Sequence, residues 1–269
     1  MDKQEPLRIG RCGAMVLAAG RGERMRPLTD TCPKPLLTVG GKPLLQWAIE
    51  ALARDGVRDI LINTDWLGDQ IEACFADPSI LARMRAQDDG LPSDDPIRLA
   101  FSREGRDFGG ALETAGGIAR ALPQLADPFW LLAGDIFAPE FRFCEQQRAA
   151  FIASDALAHI WLVPNPAHNP QGDFALSGDG LARNDGPRRY TYSTIGLFRH
   201  ALFTTPYCDI AAGNPLGSRA ALAPLLRLAA QHKRLTAALY TGPWTDVGTP
   251  ERLAQLQSPV FPELTPTAP

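Results

Sequence analysis

Several classes of protein are excluded by what this sequence lacks. Its five cysteines, Cys12, Cys32, Cys74, Cys144 and Cys208, are odd in number and far apart, which suits neither a disulfide framework nor a zinc-ligand cluster. A reducing cytoplasm is the expected compartment. No apolar run approaches the roughly 20 residues that span a bilayer, and residues 1–11 lack the apolar stretch of a signal peptide. A soluble, unexported protein with no membrane partner is therefore expected. Charge of one sign is scarce too: 27 Lys and Arg against 30 Asp and Glu leave a net −3, and the basic residues are dispersed along the chain. Nucleic acid is not an expected partner. The four histidines, His159, His168, His200 and His232, stand alone, and no HExxH, GxSxG or Cys-His arrangement occurs, which leaves metallohydrolase and serine-hydrolase chemistry without support. The Walker segment GxxxxGK[ST] of P-loop proteins is missing as well.

What is present is an alternation of elements. With 45% hydrophobic residues, the 269-residue chain can bury a sizeable core. Strand patterns at 14–18, 59–63, 97–101 and 129–133 alternate with helical spacing at 43–54, 67–75 and 114–122. That order predicts an α/β fold with a mostly parallel central sheet and helices on both faces. From residue 155 onward the strand patterns crowd together, at 158–163, 174–176 and 190–198, between turns rich in Asn, Pro and Gly, and predict a small antiparallel lobe. Helical patterns return at 219–232 and 251–257, around a short apolar and turn segment at 244–249. One domain over 12–257 is expected, with 1–11 as an extension, 87–96 as an exposed loop or insertion, and 258–269, which holds four prolines, as a frayed tail.

Ligands of such sheets sit beyond the carboxyl ends of the strands, so the loops after Ala18 and Ala133 are the places to search. The first reads Leu17-Ala18-Ala19-Gly20-Arg21-Gly22-Glu23-Arg24-Met25-Arg26-Pro27. Glycines let backbone N–H groups approach phosphate oxygens, and Arg24 offers a planar fork of donors. The segment begins as GxGxx but has Met25 where a dinucleotide fingerprint needs its third glycine, which counts against hydride transfer. A flexible turn with solvated arginines is the bland alternative. Pro33-Lys34-Pro35-Leu36 follows, where two prolines restrict the backbone around one lysine that could face the same phosphates. Asp135 stands directly after a buried strand and Gly134, and Asp246 lies within Trp244-Thr245-Asp246-Val247-Gly248-Thr249. Each alone also reads as a cap or turn residue. Together with a triphosphate, the two carboxylates would complete the oxygen shell that Mg2+ prefers.

The segments 17–27, 33–36, Leu112-Glu113-Thr114-Ala115-Gly116-Gly117, Gly134-Asp135 and 244–248 resemble, in that order, the sugar-1-phosphate nucleotidyltransferases from about residue 13 to 257. The resemblance implies an enzyme with a Rossmann-like nucleotidyltransferase fold, a nucleotide-binding half at about 12–140 and a sugar-phosphate-binding lobe at about 141–257. It implies Leu17, Ala19, Gly20, Gly22, Glu113, Thr114 and Gly116 around the nucleotide, Arg24 and Lys34 as the catalytic phosphate-binding pair, and Asp135 and Asp246 on Mg2+. Gly134 would border the sugar phosphate. The family often has glycine where this chain has Glu113, and its Glu-Lys-Pro element is replaced here by Val163-Pro164-Asn165-Pro166, without the lysine. Leu112-Glu113-Thr114, Asn165-Pro166-Ala167-His168-Asn169-Pro170 and Gly172-Asp173-Phe174 resemble the branch that uridylylates N-acetylmuramate 1-phosphate in bacterial cell-wall recycling. Asn169 and Asp173 are then candidates for sugar contacts, or else only shape their hairpin. UTP is the favoured triphosphate and a sugar 1-phosphate the acceptor. Guanylyl transfer to mannose 1-phosphate, transfer to glucose 1-phosphate, and a sensor without turnover stay open at this point, as do a monomer and a small homo-oligomer.

Overall fold

A computed structural model of the chain describes residues 11–77, 80, 84 and 96–257. The extension at 1–11, the loop at 87–96 and the tail at 258–269 lie outside these residues, apart from Arg11 and Pro96 at their edges. In chain order the elements are β1 (Cys12–Ala18), β2 (Thr38–Val39), β3 (Lys42–Pro43), α1 (Leu44–Arg54), β4 (Asp59–Thr64), α2 (Gly68–Ala76), β5 (Arg98–Arg103), α3 (Glu104–Phe108), α4 (Glu113–Ala121), β6 (Leu125–Ala133), β7 (Ile136–Phe137) and α5 (Glu145–Ile152). The second half adds β8 (Ala158–Val163), β9 (Phe174–Leu176), β10 (Ala182–Arg183), β11 (Arg189–Phe198), α6 (Leu222–Gln231), β12 (Leu235–Leu239), β13 (Thr245–Asp246) and α7 (Pro250–Gln257).

β1 is apolar on both faces because it is central: β4 and β6 pair with it in parallel on either side, and β5 extends the run beyond β4. Parallel neighbours need crossovers, and the chain moves outward from β1 to β4 to β5 before returning to β6 on the other side of β1. The strand order thus reverses between β1 and β6, where Leu17 lies opposite Ala133. At such a switch point the following loops part and leave a crevice. These are the two loops that the sequence singles out.

The antiparallel lobe is present, and it is fused to the same sheet. β11 runs antiparallel to β6 through Gly196, Leu197 and Phe198, while its other edge pairs with β8, which pairs in parallel with β12. The register shifts between Tyr192 and Gly196, with Thr194 at φ 61°. Beyond the shift, Arg189 and Tyr190 leave β6 behind and pair with β9, which carries β10. The sheet forks there, and the fork opens the second wall of the crevice. Each face of the sheet carries a core that runs through both halves. One holds Met15, Leu131, Ile160, Phe198 and Leu226, and the other Val16, Ile62, Trp130, Trp161 and Leu197. α6 begins at Leu222, three residues later than its pattern suggests, because Ala220 is engaged elsewhere: its carbonyl accepts from Ala115 and Gly116 and its N–H donates to Leu112. No helix among the described residues is long and apolar enough to cross a membrane.

Candidate active site

A cavity of about 1030 Å³ opens at this crevice, with walls from both halves. Its floor is the loop after β1, and Leu17, Ala19, Gly20, Gly22 and Arg24 all line it. The loop is folded rather than loose. Gly22 takes φ 68°, and its carbonyl accepts from Met25 N–H at 2.8 Å and Thr29 Oγ1 at 2.8 Å. A Cβ on Gly22 would come within 3.0 Å of Thr29 Cγ2 and 3.2 Å of Lys34 Cβ, so only glycine lets the two proline-flanked segments pack together. Met25 anchors the loop from below, in a small core with Val39, Leu44, Phe137, Val247 and Leu253. Arg21 lies over the Trp66 ring at 4.3 Å, whereas Arg24 is exposed at the cavity and makes no hydrogen bond or ion pair among the described residues. A fork of donors held on a folded loop without a protein acceptor suits an anionic ligand.

Lys34 is almost fully buried, on the short turn Lys34–Leu36 that Pro33 and Pro35 restrict, and its ammonium pairs with Asp135. Asp135 follows β6 as expected and lines the cavity. Asp246 sits on β13, which pairs with β7, and Val247 N–H donates to the Asp135 carbonyl at 2.9 Å, so the two aspartates stand on adjacent backbone. The Asp246 carboxylate turns to Arg252 of α7 and to His168 Nε2 at 3.1 Å. Gly134 does not line the cavity; its N–H donates to the Leu17 carbonyl at 2.8 Å, and a Cβ there would sit 3.0 Å from that oxygen. It lets the two strand ends close up.

The wall beyond β4 contains residues that sequence reasoning missed. Asn63 Oδ1 accepts from Ala18 N–H at 2.8 Å, Asn63 Nδ2 donates to Glu104 Oε1 at 2.7 Å, and Glu104 Oε2 accepts from Leu112 N–H at 2.8 Å. One chain of bonds ties the loop after β1, the end of β4 and the start of α4. Glu104 is fully buried, and burial raises its carboxyl above the usual range against the opposing pull of Leu112 N–H and the Asn63 amide. Asn63 lies near the carboxyl end of β4 and Glu104 directly follows β5, so both stand at the ends of parallel strands, the positional rule that picks out Asp135. Glu113 and Thr114 line the cavity, and Glu113 has φ 57°, a left-handed backbone that favours glycine. Gly116 lies deeper, where a Cβ would stand 2.5 Å from the Ser218 carbonyl.

From the second half, Asp173, Phe174, Tyr192, Thr194 and Arg227 line the cavity. Asp173 Oδ2 accepts from Asn169 Nδ2 at 3.1 Å and Tyr192 N–H at 2.8 Å. Asn169 itself is not at the cavity surface, and its amide also donates to Thr191 Oγ1. The pair therefore braces the turn-rich segment between β8 and β9 against β11, with Asp173 at the cavity wall. The Thr194 hydroxyl is buried with no partner, an arrangement that costs about 1–3 kcal/mol unless something else satisfies it. No local signal in the sequence marks Thr194 or Arg227, because both arrive through long-range pairing and packing.

The cavity gathers a glycine-bearing loop at a sheet switch point, an unpaired arginine, a buried lysine and the Asp135 carboxylate, an arrangement suited to a phosphorylated ligand, while Asp246 stands on adjacent backbone and is not among the lining residues. The comparisons with known proteins narrow this class. Residues 13–172 match the family described as nucleotidyl transferase, and the chain belongs to that family. It is 42% identical over 248 residues, 91% of this chain and 96% of the other, to the N-acetylmuramate alpha-1-phosphate uridylyltransferase of Neisseria meningitidis serogroup B. With the protein of the same description from Caulobacter vibrioides the identity is 29% over 255 residues, covering 88% and 92% of the two chains. Among solved structures, a putative glucose-1-phosphate thymidylyltransferase from Bacillus anthracis superimposes with TM-score 0.70 at 17% identity, covering 91% of this chain and 94% of that one. The shared fold is that of a nucleotidyltransferase, and this chain is such an enzyme.

Proposed function

We propose that this chain transfers UMP from UTP to N-acetylmuramate α-1-phosphate in the cytoplasm, releasing pyrophosphate. Near full-length relationship to two proteins of that description is the observation that carries the reading. A phosphate oxygen of the sugar 1-phosphate attacks the α-phosphorus in line. One P–O bond forms while the bond to the β-phosphate breaks, and its electron pair leaves with pyrophosphate, so no protein nucleophile is needed. The task of the chain is to position two anions and offset the charge that gathers on the leaving oxygens. Gly20 and Gly22 let backbone N–H groups approach the triphosphate, Arg24 supplies the free fork, and Lys34 supplies a buried ammonium. Asn63 and Glu104 hold the loop and the start of α4 at fixed separation.

Asp135 and Asp246 suit Mg2+. They are hard oxygen donors on adjacent backbone, each facing a cation, and no group of three or more metal-ligating side chains occurs among the described residues. A site with two protein carboxylates leaves the remaining positions to phosphate and water, as magnesium prefers. Bound there, the ion would neutralise phosphate charge and orient the triphosphate. Asp135→Asn and Asp246→Asn should each weaken magnesium binding and lower turnover by about 10²-fold or more, the scale of losing a preorganised charge-stabilising group. Near-normal activity in either variant at matched magnesium would remove that aspartate from the metal site. Pyrophosphate release with four triphosphates and a panel of sugar 1-phosphates tests the substrate reading. UTP with N-acetylmuramate 1-phosphate should give the highest kcat/KM, and preference for GTP or for a plain hexose phosphate would overturn it.

A further inference from the structure

The second-half wall of the cavity carries a cation that the proposed transfer leaves unused. Of the cations lining the cavity, Arg21, Arg24 and Lys34 belong to the loops of the first half, while Arg227 stands on α6 in the second-half wall, with Phe174, Tyr192 and Thr194. Helical side chains lean toward the N-terminus of their helix, so Arg227 reaches back over Ala223, which also lines the cavity. Its guanidinium lies over the Phe174 ring, 5.4 Å from the centroid. A guanidinium held over a ring face keeps its N–H donors available to a planar anion. Asn184 Nδ2 donates to the Arg227 carbonyl at 2.9 Å and pins that turn of the helix to the hairpin loop. Among the described residues no carboxylate pairs with Arg227, and Asp173 has committed an oxygen to Asn169 and Tyr192.

A neutral sugar gives this guanidinium, which has no carboxylate partner among the described residues, no charge to meet. We infer that Arg227 is a specificity-determining residue that grips the carboxylate of an acidic sugar 1-phosphate. With the substrate proposed above, on which this inference rests, that group is the lactyl carboxylate of N-acetylmuramate. The experiment uses the full chain with UTP and magnesium, and measures pyrophosphate release with N-acetylmuramate 1-phosphate, its neutral lactyl amide and N-acetylglucosamine 1-phosphate. The readout is the kcat/KM ratio of the acid to the amide. In the unmodified enzyme the acid is preferred. Arg227→Gln, on an exposed helix position that glutamine suits, lowers the ratio by about 10- to 100-fold, the scale of a hydrogen bond to a charged group. Arg227→Lys, which keeps the charge without the fork, retains part of it. If the unmodified enzyme prefers the acid and Arg227→Gln keeps that ratio, the assignment of Arg227 is overturned and the substrate reading survives. An equal loss on acid and amide would put Arg227 on the phosphates instead, which also overturns it. If the unmodified enzyme shows no preference for the acid, the substrate reading fails and the inference falls with it.

Discussion

Two glycines of the loop after β1, proposed to hold the triphosphate, separate folding from binding within three residues. Gly22 has a left-handed backbone and no room for a Cβ, whereas a Cβ on Gly20 would meet no protein atom within 4 Å. Gly22→Ala should therefore cost about 2 kcal/mol of stability, from strain and overpacking against Thr29 and Lys34. Gly20→Ala should fold as well as the parent, yet raise KM for UTP by denying phosphate its close approach. Melting curves and UTP titrations of both variants check this, and a destabilised Gly20→Ala with unchanged KM would show the loop to be merely structural there. Glu113 gives a sharper sign. Elsewhere in a helix Ala is more stable than Gly by roughly 0.5–1 kcal/mol. At φ 57° the order should reverse, with Glu113→Gly more stable than Glu113→Ala by about 1 kcal/mol. Denaturant unfolding of the two variants decides it, since both lose the same charge.

Among the strands, β8 holds the one histidine that burial controls. His159 faces Thr236 of β12, with Nδ1 2.9 Å from Thr236 Oγ1, and its ring packs edge-on against Trp161 at 4.5 Å. Burial lowers its pKa from the ordinary 6.5 to about 4. In that window the unfolded chain binds a proton that the folded chain refuses, so stability falls as pH drops through it. About 2 kcal/mol present at pH 7 should be gone at pH 5, and His159→Gln should flatten that part of the slope; an unchanged slope would place the effect elsewhere. Legibility also differed between elements for physical reasons. β1, the middle of β4 and the 129–133 part of β6 are continuous apolar runs, and their patterns locate these strands within a few residues. α5 buries only Phe151, so no apolar stripe announces it. β12, Leu-Thr-Ala-Ala-Leu, is short and follows α6 closely, and only pairing with β8 makes it a strand. Asp135 was readable because it ends a buried strand. Thr194 was not, because a register shift in β11 decides where it points.

At the scale of the whole molecule, the expectation of one domain over 12–257 becomes a question of cooperativity. The nine-stranded sheet runs through both halves, β11 bonds to β6 on one edge and β8 on the other, and each face carries a core shared by both halves. Separating the halves would expose Phe129 against Phe198 and Trp130 against Trp161, stacked or tilted pairs with centroids 6.0 and 5.4 Å apart. Each such pair adds about 0.5–1.5 kcal/mol beyond the area it buries, and the buried aliphatic residues around them add more. A partly unfolded state with only the first half intact is therefore costly, and calorimetry should record a single transition. Ligand linkage sharpens the test. A ligand at 100 times its Kd stabilises the folded state by about 2.7 kcal/mol, which corresponds to roughly 5–10 °C in Tm for a chain of this size. Since the loop proposed to hold UTP belongs to the first half, UTP with magnesium would move only one of two transitions if the halves melted independently. The shared sheet instead requires the whole transition to shift together, including the fluorescence change of Trp161 in the second half. Two resolved transitions, or a Trp161 signal that stays in place while the rest moves, would show two domains.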